Sequence, residues 1–365
     1  MRLGDCCKTN LHTYSDKEKW SLIRYLDTGS ITEGRIDEIQ TLYPGVDKIP
    51  SRARRKASVG DILFSTVRPN QKHYGIIEAG TENLLVSTGF TVVTVDTTIA
   101  DPYFIYYYLT QSSVIESLQA IAEQSTSTYP SIKPSDIEDI ELDLPELETQ
   151  KKIGSTLRML DRKIALNEEI NDNLQQQAQA IYSSMFIDNP DPAWSHGHLS
   201  ELIAVKYGKD HKKLADGIYP VYGSGGIMRY VERPLYNKES VLIPRKGTLN
   251  NVMYVNQPFW SVDTMFYTEM KLPNVAKFVY HFVKAKDLAS MNAGSAVPSM
   301  TTDILNAMEV VIPSASALEE FESLVAPMYE AMEANDVQSK ALSQIRDTLL
   351  PKLMSGEIDV SDVQL

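Results

Sequence analysis

Basic and amide side chains gather in a few turn-rich stretches of this 365-residue chain. Arginine can bridge guanine O6 and N7, asparagine can bridge adenine N6 and N7, and lysine, serine and threonine can hold phosphates. The candidate DNA-binding residues of the first half are Arg52, Arg54, Arg55, Lys56, Arg68, Asn70 and Lys72. Those of the second half are Lys206, Lys209, Lys212, Tyr222, Ser224, Arg229, Arg245, Lys246, Thr248 and Asn250. A solvated loop is the alternative interpretation of any single cluster, but recurrence in both halves favours contact with DNA.

Motifs for catalysis and cofactor binding are incomplete in the sequence. The tetrapeptide Asp101–Phe104 resembles the D-P-P-Y/F motif of amine-directed DNA methyltransferases but lacks the second Pro. It is better explained as an N-cap Asp followed by Pro at the first helical position. The run Gly223–Gly226 lacks the G-x-G-x-x-G spacing and the Lys-Ser/Thr of a P-loop, and the six histidines show no metal-ligand spacing. We therefore predict no catalytic residue, no metal site and no cofactor bound by this chain.

The net charge of −13 would argue against nucleic-acid binding if it were spread evenly. It is concentrated instead: residues 131–186 carry −5 and residues 303–365 carry −9. Residues 1–130 and 187–302 carry only −2 and +3. Because local fields steer a polyanion more than total charge does, the two nearly neutral segments are the ones expected to meet DNA.

Length and composition predict a soluble protein of two or three domains. There is no charged-then-apolar leader at Met1 and no run of about 18 apolar residues, so we expect a cytoplasmic location and no membrane partner. Cys6 and Cys7 are adjacent, which excludes an ordinary disulfide framework and fits a reducing compartment.

The two acidic stretches are versions of one another. The stretch LPELETQKKIGSTLRMLDRKI begins at Leu144, and its counterpart IPSASALEEFESLVAPMYEAM begins at Ile312. The alignment holds without a gap from Pro130 to Met185 in the first copy and from Pro298 to Leu353 in the second. It matches Asn167 with Asn335. A repeat of this length predicts a duplicated architecture with pseudo-twofold character.

Apolar residues in both stretches recur at alternating steps of 4 and 3, the spacing of a coiled-coil seam. The spacing predicts two helices of about 34 residues, each roughly 50 Å long, packed as an antiparallel coiled coil. The predicted seam residues are Ile153, Leu157, Leu160, Ile164, Asn167, Leu174, Ile181, Phe321, Val325, Met328, Met332, Asn335, Leu342, Leu349 and Leu353. A buried seam Asn fixes register, and a half-exposed residue in a loose seam is the alternative for Asn167 and Asn335. We expect the second helix to kink near Pro351 and to end at Gly356.

The remaining segments predict an α+β fold with two similar mixed α/β domains. Each shows a strand entering a basic turn, then an apolar strand, one Pro-started helix and a closing strand. The predicted helices are DPYFIYYYLTQSSVIESL, with Pro102, and LPNVAKFVYHFVKAKDL, with Pro273, and the closing strands are DIEDIELDLP and LNAMEVVIP. The predicted domains are residues 1–145 and 188–313, separated by the helices within residues 146–187 and 314–365.

These stretches together resemble the specificity subunit of type I restriction–modification systems, over essentially the whole chain. Leu144–Phe186 is similar to that family's central conserved region, and Ile345–Val360 is similar to its distal conserved region. PSRARRK with GDILFSTVRP, and YPVYGSGG with LIPRKGT, look like two classes of its target-recognition domain.

The resemblance implies a division of labour. Each of two target-recognition domains would read one half of a bipartite, asymmetric site in double-stranded DNA, and the helix pair would act as the spacer between half-sites. The chain would direct two methyltransferase subunits, which hold S-adenosylmethionine, to that site. Restriction subunits that use ATP and Mg²⁺ would join in some assemblies. The chain would be a non-catalytic subunit of a type I restriction enzyme or DNA adenine methyltransferase complex.

Two other functions stay open at this point. A stand-alone DNA methyltransferase or nuclease would show activity as an isolated chain, although its cofactor and metal motifs are missing. A protein-binding scaffold with no DNA role would lack the steep salt dependence of a DNA binder.

Overall fold

The computed structural model describes residues 1–125, 129–291 and 299–360. The chain divides into two compact units. The first unit comprises residues 1–166 with residues 337–365, of which 361–365 lie outside the description, and the second comprises residues 167–336. This division assigns part of each long helix to each unit, and the four predicted segments stay a prediction.

The α-helices of the described residues include two that are much longer than the rest. They are α1 (Pro102–Leu109), α2 (Ser112–Glu123), α3 (Pro134–Glu138), α4 (Leu147–Ser183), α5 (Leu199–Leu202), α6 (Ala276–Lys284), α7 (Thr302–Asn306) and α8 (Ala315–Met354). The two long helices, α4 and α8, have 37 and 40 residues, somewhat more than the apolar spacing predicted.

The strands are short. In the first unit they are β1 (Cys7–Thr9), β2 (Ile23–Leu26), β3 (Ile31–Thr32), β4 (Arg35–Ile36), β5 (Gln40–Leu42), β6 (Ala53–Lys56), β7 (Ile62–Ser65), β8 (Tyr74–Ile76), β9 (Leu84–Ser87) and β10 (Phe90–Val95). In the second they are β11 (Ser195–His198), β12 (Ile203–Tyr207), β13 (Asp216–Gly223), β14 (Gly226–Val231), β15 (Ser240–Pro244), β16 (Met253–Val255), β17 (Trp260–Ser261), β18 (Met265–Met270) and β19 (Glu309–Ile312).

The two units have the same main sheet. Its strand order is β1-β10-β7-β8 in the first unit and β12-β18-β15-β16 in the second. A second sheet has the order β5-β2-β9-β6 in the first unit and β14-β13-β17 in the second. In both second sheets a parallel pair, β2 with β9 or β13 with β17, is extended by an antiparallel neighbour. Within the described residues, the second sheet of the second unit has no counterpart of β6, the strand that carries Arg54, Arg55 and Lys56 in the first.

Each domain packs its own apolar core against the long helices. In the first unit Ile153 and Leu157 of α4 and Leu353 of α8 are buried with Phe104 of α1. In the second unit Tyr182 of α4 packs on Phe278 of α6 and Phe321 of α8, with ring centroids 5.6 Å and 6.2 Å away. Each unit therefore packs its core on the apolar residues of its own segments of α4 and α8.

The seam residues are buried or half-buried. The buried ones are Ile153, Leu157, Asn167, Phe321, Val325 and Leu353. The half-buried ones are Leu160, Ile164, Leu174, Ile181, Met328, Met332, Asn335, Leu342 and Leu349. Within the second unit, Asn167 lies beside Asn335 and Tyr182 lies beside Phe321. The segments of α4 and α8 in this unit therefore run antiparallel.

Helix ends follow the expected side-chain chemistry in two places. Asp101 caps α1, since its Oδ1 accepts from the Phe104 backbone N–H at 2.9 Å and Pro102 is the first helical residue. Burial raises the pKa of this capping carboxyl. Past the end of α8, Gly356 has a φ of +73°, the left-handed conformation expected of a residue at C′.

Three local predictions were wrong. The helix expected to start at Pro273 begins at Ala276. The single helix expected after Asp101 is two, because the chain turns extended at Gln111 between α1 and α2. The closing strand of the first domain is reduced to an isolated bridge of Arg2 with Glu141, whereas the second domain forms β19.

Candidate nucleic-acid interface

One basic turn is built in the same way in both units. It follows β7 in the first unit and β15 in the second. The Thr66 carbonyl accepts from the Ile132 N–H at 2.8 Å, and the Arg245 carbonyl accepts from the Met300 N–H at 2.9 Å. The donors Ile132 and Met300 align with each other in the same ungapped repeat that matches the two long helices. The sequence repeat therefore extends into the segment that holds this turn.

The turn has a left-handed residue at the same place in both copies. Counting two residues on from Thr66 and Arg245 gives Arg68, with a φ of +49°, and Gly247, with a φ of +86°. The Arg68 side chain is exposed, and its guanidinium lies 5.2 Å from the centre of the Tyr129 ring. At position 247, the φ of +86° favours Gly, and a Cβ would also approach Ser224 Oγ to 2.6 Å, so the second turn packs closely on its neighbour.

The first unit brings its two predicted clusters to one corner. The Arg52 carbonyl accepts from the Thr88 N–H, and the Gly89 carbonyl accepts from the Thr66 N–H. The corner at Thr88 and Gly89 therefore lies between the strand β6 and the basic turn. Arg52, Arg68, Asn70 and Lys72 are exposed.

The strand β6 presents its cations in different surroundings. Lys56 forms an ion pair with Glu18 and its Nζ lies 5.1 Å from the Trp20 ring. Arg54 borders a cavity of about 460 Å³ that is also lined by Tyr14 and Trp20, whose ring centroids are 4.7 Å apart. Arg55 is half-buried, its Nη1 has no hydrogen-bond partner within the described residues, and burial lowers its pKa.

The second unit brings three predicted clusters together. Asn251 Nδ2 donates to the Ser224 carbonyl at 2.8 Å, which ties the basic turn to the β13–β14 hairpin. The Arg245 guanidinium lies 5.4 Å from the ring of Tyr207, at the end of β12 between Lys206 and Lys209. The exposed side chains around this centre include Lys209, Lys212, Lys246 and Thr248.

Several candidates make contacts within their own unit. Those contacts join Lys72 to Glu33 at 2.5 Å, Lys206 to Glu269 at 3.5 Å, Arg229 to Asp216 at 2.6 Å and Asn250 to Asp287 at 3.0 Å. Exposed ion pairs contribute little, so a phosphate could replace a carboxylate partner at small cost. Tyr222 is only 8% exposed and packs in an apolar cluster with Phe259 and Trp260. The role of each candidate in DNA binding stays a prediction.

Sequence reasoning missed the aromatic residues beside the cations. The rings of Trp20, Tyr129 and Tyr207 each lie at most 5.4 Å from a candidate Lys or Arg. Aromatic faces hold guanidinium and ammonium groups by cation–π attraction and can also stack on bases. Tyr207 could have been found from the sequence, because it stands inside the basic stretch KYGKDHKK. Trp20 and Tyr129 are distant along the chain from the cations they meet.

Two kinds of feature are absent from the described parts of the chain. Within residues 1–125, 129–291 and 299–360, no three His, Cys, Asp or Glu side chains are grouped so that they could hold a metal ion. Within the same residues, no helix has the length and apolar character needed to cross a membrane.

The repeated sheet and the repeated basic turn define a protein with two copies of one mixed α/β module. The family model described as the type I restriction modification DNA specificity domain matches both copies, at residues 48–176 and 193–321. The chain belongs to this family, which confirms the resemblance seen in the sequence.

Two known relatives and one solved structure match most or nearly all of the chain at low identity. The type I restriction enzyme HindI specificity subunit of Haemophilus influenzae is 23% identical, and the match covers 98% of each chain. The MjaIX specificity subunit of Methanocaldococcus jannaschii is 24% identical over 83% of this chain and 79% of its own. A crystal structure of the type I restriction-modification S subunit from M. genitalium matches the fold with a TM-score of 0.62 at 18% identity, covering 97% of this chain and 95% of that one.

Proposed function

We propose that this chain is the DNA-reading subunit of a type I restriction–modification complex, with each unit reading one half of a bipartite, asymmetric site. The observation that carries the proposal is the basic turn after β7 and β15, which is tied down by the same backbone hydrogen bond in both units. Two copies of one turn with different side chains, Arg68 in one and Arg245 with Lys246 in the other, suit two different half-sites. Direct readout requires such side chains to reach base edges in the major groove.

The long helices act as the spacer in this proposal. We infer that α4 and α8 form an antiparallel coiled coil along their whole length. The contacts inside the second unit support this packing, and Arg346 Nη1 donates to Asp161 Oδ1 at 2.7 Å inside the first. To test the spacer role, a variant carries an insertion of four residues, about one helical turn, after Glu168 of α4 and a matching insertion in α8 next to Asn335. This variant should change the gap between half-sites and leave their sequences unchanged.

The chemistry belongs to partner subunits in this proposal. Two methyltransferase subunits, carrying S-adenosylmethionine, would dock on the chain, and restriction subunits using ATP and Mg²⁺ would join them. The chain itself would supply no catalytic group. The acidic helices support a protein-facing role, because like charge makes them poor surfaces for DNA.

Genome-wide mapping of methylated sites tests the proposal. Cells with the methyltransferase subunits should show one asymmetric bipartite motif when this chain is present and none when it is deleted. The purified complex should also lose DNA affinity steeply between about 50 and 200 mM salt. Methylation by the isolated chain would instead identify a stand-alone methyltransferase, and salt-independent or absent DNA binding would favour a scaffold.

A further inference from the structure

Each recognition domain presents the same helix to the long helices. The sequence FIYYYL at Phe104–Leu109 of α1 corresponds to FVYHFV at Phe278–Val283 of α6. Both helices follow the matching strand of the main sheet, β10 or β18. This alignment places Tyr107 and His281 at the same position, and both side chains are buried.

In the first unit, Tyr107 belongs to a hydrogen-bonded group that joins three helices. Its hydroxyl donates to Asp161 Oδ2 of α4 at 2.6 Å. The other oxygen of the same carboxylate accepts from Arg346 Nη1 of α8 at 2.7 Å. One carboxylate therefore ties the domain helix to both long helices.

In the second unit, His281 is the centre of an equivalent group. Its Nδ1 lies 2.8 Å from Gln179 Oε1 of α4, and its Nε2 lies 2.9 Å from the Tyr329 hydroxyl of α8. An amide oxygen can only accept, so Nδ1 donates and Nε2 accepts from the tyrosine. A neutral imidazole satisfies both bonds, and the ring is 0% exposed.

The two groups lie at the same place in the repeat. Asp161 and Tyr329 align with each other in the register that also matches Asn167 with Asn335. Both units therefore have a hydrogen bond between the recognition-domain helix and a long helix, but its chemistry differs. In the first unit a phenol donates to a carboxylate, and in the second a phenol donates to an imidazole. Each group again includes a residue of the remaining long helix, Arg346 or Gln179.

We propose that these two triads, Tyr107–Asp161–Arg346 and Gln179–His281–Tyr329, are positioning residues that set the orientation of each recognition domain on the helix pair. The apolar contacts around them are non-directional. Hydrogen bonds prefer a narrow range of angles, and burial makes an unmade bond costly. The inference rests on the proposed function: domain orientation would decide which gap between half-sites the complex accepts, while the basic turns decide which bases it reads.

The test uses the full chain in its native complex, with methylated sites mapped across the genome. Tyr107→Phe and Tyr329→Phe each remove one hydroxyl and keep the ring. We expect methylation at sites whose gap is one base longer or shorter to rise about tenfold relative to the native gap, as one lost hydrogen bond implies. Half-site sequences should not change. Asp161→Asn and His281→Gln keep a polar group at the centre of each triad. They should therefore raise methylation at the non-native gap lengths less.

Matched controls separate positioning from stability. Tyr108→Phe removes a hydroxyl from α1 that donates to the Glu141 carbonyl, outside the triad. Tyr280→Phe removes a hydroxyl from α6 beside His281. Both control variants should keep methylation confined to the native gap length between half-sites. Triad variants that still methylate at one gap length, or that lose methylation equally at every gap length, would overturn the inference. A bipartite motif in the wild-type complex would still uphold the proposed function. A wild-type complex with no bipartite motif would overturn both.

Discussion

Asn335 Nδ2 donates a hydrogen bond to Asn171 Oδ1 at 2.8 Å inside the second unit, and Asn171 Nδ2 donates in turn to Asp336 Oδ1 at 2.9 Å. Asn167 Nδ2 donates to the Asn335 backbone carbonyl at 3.4 Å. The repeat pairs Asn167 with Asn335 in sequence, but the side-chain partner of Asn335 is Asn171, one helical turn further along. These bonds pair polar groups of α4 with polar groups of α8 within the second unit.

Removing one partner of the Asn171–Asn335 pair should destabilise the protein more than removing both partners. Asn171→Leu leaves Asn335 Nδ2 without its acceptor and should lower the free energy of unfolding by about 1–3 kcal/mol. The double variant Asn171→Leu/Asn335→Leu removes donor and acceptor together and should recover most of that loss. Urea denaturation of the four proteins in the cycle measures both effects. Additive losses would show that the two amides act independently.

The buried Lys277 should be essential for stability. Its Nζ lies 2.6 Å from Glu322 and 3.2 Å from Glu239, near the Tyr254 and Tyr329 rings, and the residue is 5% exposed. Lys277→Met leaves two carboxylates facing each other without a cation and should cost about 3–5 kcal/mol. Lys206→Met, which breaks the exposed pair with Glu269, should cost about 0–1 kcal/mol. Similar thermal midpoints for the two variants would contradict this ranking.

The buried His281 should make the protein acid-sensitive. Burial lowers the pKa of His281 from 6.5 to about 4. Between these values the unfolded chain binds a proton that the folded protein excludes, so stability is full above pH 6.5 and falls as the pH drops toward 4. The loss should be about 3 kcal/mol. Carboxylates titrate in the same range, so the wild-type curve is compared with that of His281→Gln, which should show a shallower slope below pH 6.5. Parallel curves would mean that His281 is accessible to protons in the folded state.

Arg54 of β6 and Arg245 of the second basic turn should each affect one half-site. If Arg245 or Arg54 reads a guanine, its change to Ala should cost about 1–3 kcal/mol and relax one half of the motif. Lys284→Ala, at the exposed end of α6 and outside the candidate set, is the control and should leave the motif intact. Equal losses on all sequences would reassign the arginine to a phosphate contact, which carries no sequence information.

The sequence alone predicted the features that depend on periodic or local patterns. Alternating steps of 4 and 3 identified residues of α4 and α8 that are buried or half-buried, because a helix returns to the same face at that spacing. The Asp-Pro pair identified the start of α1, because an N-cap and its first turn are adjacent in the chain. The same local reasoning misplaced the start of α6, where Pro273 precedes the helix without beginning it.

Only the tertiary structure decided which distant side chains meet. The triads at Tyr107 and His281 each join three helices that are far apart in the chain, and no spacing rule relates their members. The equivalence of Arg68 with Gly247 emerged from matching backbone hydrogen bonds, since the side chains at the two positions share nothing. Periodicity reports which face of an element is apolar, whereas polar pairing depends on how several elements are packed, and that information is present only when the chain is folded.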